Sequence, residues 1–159
     1  MLCISSDKDF VMRNFLKVFV LSFIFMTSSQ AMADDPIYTS FLSDKAVSGY
    51  DVVAYFKQGV AVKGKQVHSL KYKDAVWLFS TAENKEVFLR NPEKYEPQYG
   101  GYCAYAVAKG SLASSDPEAW TIHDGKLYLN YDKDIQKEWE SNMQNFIEKG
   151  DQNFPDLIQ

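Results

Sequence analysis

Hydrophobic and polar positions change period several times along this chain, and each change predicts an element. Tyr50-Asp51-Val52-Val53-Ala54-Tyr55-Phe56 is a short apolar run between Gly49 and Gly59, readable as a strand or as one helical turn. Stretches 67–72 and 76–79 are rich in β-formers and flank Lys73-Asp74-Ala75, which predicts a hairpin. A helix should follow, with Ser80 and Glu83 at capping-box spacing and Val87 and Phe88 turned to the core. Asn91-Pro92 ends it, and Pro92 opens a further turn through Lys94. In Pro97-Gln98-Tyr99-Gly100-Gly101-Tyr102-Cys103-Ala104-Tyr105-Ala106 no period holds, and paired glycines among tyrosines predict a tight turn with unusual backbone angles.

Stretches 120–123 and 126–131 flank Asp124-Gly125, a strong short hairpin signal. Ile135, Trp139, Met143, Phe146 and Ile147 then form one helical stripe, capped by Asp132 or Asp134, with Gly150 placed just past its end. No internal repeat, low-complexity stretch or linker is evident. Hairpins and helices in this order predict a small single α+β domain, in which short antiparallel β-hairpins pack against helices, including a long C-terminal amphipathic helix.

Ahead of that domain the pattern is of another kind. Arg13 and Lys17 precede a nearly unbroken apolar run at 18–25, polar residues begin at Thr27, and Ala31-Met32-Ala33 offers a small-x-small cleavage site. The run is too short for a spanning helix, which needs about 20 apolar residues. Residues 1–33 therefore read as a cleavable export signal and 34–159 as the working domain, periplasmic or secreted, with no stable membrane anchor after cleavage. Residues 1–11 fit no signal pattern, which makes Met12 a candidate start.

Cleavage removes Lys8, Arg13 and Lys17 against Asp7 and Asp9, so the remainder is one unit more acidic than the net −4 of the whole chain. An acidic domain without a basic cluster is a poor partner for nucleic acid. It also removes Cys3, leaving Cys103 as the single cysteine. One thiol cannot form a disulfide within its chain, so Cys103 is inert core, a reactive or ligating group, or half of an intermolecular bridge.

Enzyme motifs are scarce. The chain has no phosphate-binding glycine loop, no paired-histidine zinc motif and no calcium loop. His68 and His123 are its two histidines. His123, beside the hairpin turn, reads as an exposed strand end, and His68 opens a strand next to Ser69. Whether the chain is an enzyme is left open, with a non-enzymatic role preferred.

The segments GYDVVAYFKQG, KYKDAVWLFSTAENKEVFLRNPEKYEPQYGGYCAYAVAKG and DPEAWTIHDGKLYLNYDKDIQKEWE together resemble the exported bacterial proteins of the YHS domain family, from about Gly49 to the C-terminus. That resemblance implies a small metal-associated module. Cysteines of the metal-binding relatives fall here at Ala54, Ser80 and Asn84, none of which supplies a thiolate for a soft metal. The expectation is an exported, non-enzymatic binding protein that holds a soft metal ion (copper or zinc) or a small ligand near Cys103. Cys103 and His68 are the candidate metal ligands, and Tyr50, Asp51, Tyr99, Tyr102 and Tyr105 the candidate ligand-binding residues. Two alternatives remain: a thiol-dependent redox or transfer enzyme using Cys103, and a structural or partner-binding module in which Cys103 is plain core.

Overall fold

Two antiparallel hairpins and a set of mostly short helices make up residues 35–159, the part described by a computed structural model; the predicted signal segment lies outside the described residues. The order is that of an α+β domain, as the sequence predicts. Among the described residues no helix is long and apolar enough to cross a membrane.

The ambiguous run at 50–56 resolves as a helix, α1 (Val52–Gln58), because Asp51 caps it and Gly59, at φ 68°, ends it in the left-handed region. Strands β1 (Lys65–Tyr72) and β2 (Ala75–Phe79) follow and pair antiparallel. Lys73 and Asp74, which join them, both have positive φ, as the right-handed twist of a two-residue hairpin requires. Helix α2 (Ala82–Arg90) corrects one expectation. Its cap is Thr81, whose hydroxyl accepts the Asn84 N–H at 3.1 Å, while Ser80 is drawn inward to another partner. The short α3 (Pro92–Tyr95) begins on its proline, as expected.

After the Tyr-Gly-Gly turn come α4 (Ala104–Ala108), β3 (Asp116–His123) and β4 (Lys126–Asn130). The predicted final helix is two. Asp132 caps α5 (Lys133–Ser141), Asn142 breaks the helical backbone at φ −148°, and α6 (Met143–Leu157) runs on. Gly150 does not terminate this helix; it is buried within it against Tyr99.

The absence of an internal repeat is also corrected. A left-handed turn at Val47-Ser48-Gly49 precedes Tyr50 and the cap of α1, and a left-handed turn at Tyr99-Gly100-Gly101 precedes Tyr102 and the start of α4. Each short helix leads to a hairpin with a two-residue turn, and each hairpin to a capped helix, α2 or α5. Register agrees as well: Lys65 pairs with Phe79 and Ser69 with Leu78, just as Asp116 pairs with Asn130 and Trp120 with Leu129, each with an irregularity between the two pairs. One supersecondary unit thus occurs twice, offset by roughly fifty positions.

The halves share a strand. Leu127 and Leu129 of β4 are fully buried in a core with Val52, Val53, Trp77, Phe79 and Phe88. Tyr128, between them, points the other way into a second core with Val107, Trp139, Phe146 and Ile147. Alternation along one strand is what gives the domain two apolar layers.

Candidate functional site

Asp51 is fully buried, and its carboxylate is saturated. Oδ1 accepts the N–H groups of Val53 and Ala54 at 2.9 and 3.3 Å, closing the first turn of α1. Oδ2 accepts the Ser80 N–H at 2.8 Å, the Ser80 hydroxyl at 2.6 Å and the Asn84 amide at 2.7 Å. The positions that the family resemblance pairs with thiolates, 54, 80 and 84, therefore meet around one carboxylate. A buried charge with five donors is compensated, and it ties α1 to the start of α2. Asp51 has no face left for a ligand, which departs from its expected place in a binding pocket.

Cys103 is 1% exposed and sits in the cap position of α4. Its Sγ lies 3.9 Å from Asn130 Oδ1, the oxygen that also accepts the Tyr105 N–H. Burial holds the thiol above the usual cysteine range, so at neutral pH it is protonated and a weak nucleophile. His68, half-buried, lies on β1 of the first hairpin, whereas Cys103 bridges to Leu129 of the second. No hydrogen bond joins them among the described residues, and there no group of three His, Cys, Asp or Glu side chains is placed to hold a metal ion. His123 stands at a strand end, 3.5 Å from Asp124.

The expected tyrosines divide among three places. Tyr50 lies in the first half with the Lys63 ammonium 5.8 Å from its ring centre. Tyr105 turns outward and donates to Glu138 at 2.6 Å. Tyr99 and Tyr102 both pack on Phe154, at 5.6 and 6.5 Å between ring centres.

Of these, Tyr99 alone lines an open cleft of about 490 Å³, together with Lys73, Glu96, Pro97, Asp151 and Phe154 among others. Its backbone is left-handed, φ 56°, a conformation that strains a bulky residue and is kept only where surroundings enforce it. The enforcement is visible. The Tyr99 hydroxyl lies 3.0 Å from Asp151 Oδ1 and 3.2 Å from the Ile147 carbonyl, and the ring covers Gly150. Burial and the Asp151 carboxylate both raise the phenol pKa, so it stays a neutral donor. On the opposite wall Glu96 accepts from Lys73 at 2.7 Å and from the Tyr72 hydroxyl at 3.0 Å.

Sequence reasoning missed Asp151 and Phe154, which reach Tyr99 from α6, and Glu96, which lines the same cleft. One signal was present: Gly150 inside an otherwise helical pattern, where packing rather than chain termination requires a glycine. In comparisons with known proteins, no family model, no curated protein and no solved structure matches this chain.

Proposed function

We propose that residues 34–159 form an exported, non-enzymatic binding protein of the YHS type, whose ligand is a small molecule held in the cleft beside Tyr99. The observation that carries this reading is the cleft itself: an open cavity of about 490 Å³ in which polar groups converge on aromatic and proline walls. Tyr99 comes from the Tyr-Gly-Gly block that also carries the resemblance. Burial of Cys103, its raised pKa and the want of a paired base leave the thiol a structural role and disfavour thiol catalysis.

The test is a fragment titration of the purified mature protein followed by amide NMR, with copper(I) and zinc titrated in parallel by calorimetry. Cleft binding shifts the amides of Gln98, Tyr99, Asp151 and Phe154. A metal bound tightly by wild type and lost in Cys103→Ser, with the cleft amides unmoved, would replace this reading by the soft-metal one at Cys103 and His68. Silence in the cleft across the library would overturn it.

A further inference from the structure

We infer that the cleft takes an organic cation, a primary ammonium or guanidinium carried on a short apolar body; this rests on the cleft being the binding site. Charge selects the sign. Its walls hold Glu93, Glu96 and Asp151 against a single Lys73. Lys73 and Glu96 neutralise one another, with Nζ 2.7 Å from Oε2, so that pair adds no net charge to the cleft although the Lys73 side chain is 45% exposed. Glu93 and Asp151 remain, and neither has an ion pair among the described residues. An anion entering here meets two uncompensated carboxylates, whereas a cation is attracted both locally and by the acidic domain as a whole.

Shape selects the body. Tyr99 and Phe154 stand with ring centres 5.6 Å apart and planes tilted by 57°, and Pro97 and Pro155 continue the apolar lining. Tyr99 is itself buried, so the half-buried Phe154 ring offers the aromatic surface. Beside a carboxylate it suits a cation with a hydrocarbon body, because ring faces attract positive charge while the body is removed from water. The Tyr99 hydroxyl sharpens this. It already lies 3.0 Å from Asp151 Oδ1, which orients the carboxylate toward the rings and gives the phenol an acceptor within the protein.

Three probes with one shared body separate the possibilities: phenethylammonium, 2-phenylethanol and 3-phenylpropionate, each titrated into the full mature domain and read by amide NMR. The ammonium should bind at least about tenfold more tightly than either other probe, with shifts centred on Tyr99, Asp151 and Phe154. Raising salt to about 0.5 M should weaken it severalfold, since exposed charges are screened. Asp151→Asn, which keeps an acceptor for Tyr99, and Glu93→Gln should each lower ammonium affinity about three- to tenfold and leave the alcohol unchanged. Equal binding of alcohol and ammonium in the cleft would overturn the cation inference and leave the binding site standing. Preference for the carboxylate would do the same. If none of the three moves a cleft amide, both fall.

Discussion

Cys103 occupies in the second half of the domain the place that Asp51 occupies in the first. Each follows a Gly-Tyr pair, each is buried at the cap of a short helix, and each donates its N–H to a loop carbonyl, Val62 at 2.8 Å and Ala113 at 3.0 Å. What differs is the company. Ser80 and Asn84 bring side-chain donors to Asp51, whereas the corresponding positions hold Tyr131 and Ile135, of which only the Tyr131 backbone N–H faces the Cys103 sulfur. The first half is pinned by charge-assisted hydrogen bonds and the second by packing. A thiol suits the second place because it is small, largely apolar and only a weak donor.

Removing the Asp51 carboxylate strands the donors of Ser80, Asn84, Val53 and Ala54 in the interior. Asp51→Ala should cost about 3–5 kcal/mol, more than a lost cap alone at about 1 kcal/mol, as measured by urea denaturation. Ser80→Ala removes one donor and should cost about 1 kcal/mol. Cys103→Asp copies the first half without its partners, so it should destabilise more than Cys103→Ala. An Asp51→Ala protein as stable as wild type would mean that the network contributes nothing.

The buried thiol makes stability depend on alkaline pH. Its folded pKa is raised, so this contribution is complete below the unfolded thiol value of about 8.5 and is lost as pH rises through the folded value. Between roughly pH 8.5 and 10, Cys103→Ala should lose stability less steeply than wild type. Tyr128, pushed up to about 12 by burial, extends the decline at higher pH in both proteins. Alkylation by iodoacetamide at pH 7 should proceed only at the rate of unfolding; labelling at the rate of a free thiol would refute the buried assignment.

Gly150→Ala sets two effects against each other. In an open helix alanine would gain about 1 kcal/mol over glycine. Here the added Cβ would lie 2.6 Å from Tyr99 Oη and 2.7 Å from Cζ, closer than real contacts allow. Tyr99 is held on both sides and cannot yield cheaply, so a net loss of about 1–3 kcal/mol is expected, with weaker binding in the cleft. Thermal denaturation and a probe titration read the two.

At Gly100 the obstacle is backbone. A Cβ there would stand 1.9 Å from the Pro36 carbonyl oxygen, and φ is +61°. Tyr38 also donates its N–H to the Gly100 carbonyl at 2.9 Å, so the segment ahead of the first elements, a lead-in at 35–45, is fastened at this turn. Gly100→Ala should cost more than about 2 kcal/mol and expose the lead-in to proteolysis, detectable as early cleavage near residues 36–38.

Local chemistry made much of the fold readable. Asp124-Gly125, the Pro92 start of α3, the Asp132 cap and the paired glycines at 100 and 101 each act over a few residues, and each did what its side chain predicts. The errors arose where a distant group won. Ser80 satisfies the spacing of a capping box, but the Asp51 carboxylate takes its hydroxyl and leaves the cap to Thr81. Gly150 looks like a helix terminator, but it is the space that Tyr99 fills. The twofold architecture is hard to read from the sequence because its two copies share turn geometry and register but few residues beyond the Gly-Tyr pairs.

The sequence by itself determined the class of the domain, the hairpin turns and the chemistry of a single thiol, since each follows from local propensity, alternation or a count. Tertiary structure alone decided which side of that chemistry faces water. It buried Cys103 against Asn130, closed Asp51 within five hydrogen bonds, and brought Asp151 and Phe154 to Tyr99. Those outcomes depend on groups far apart in the chain competing for the same donors and the same space, and no local window contains both competitors.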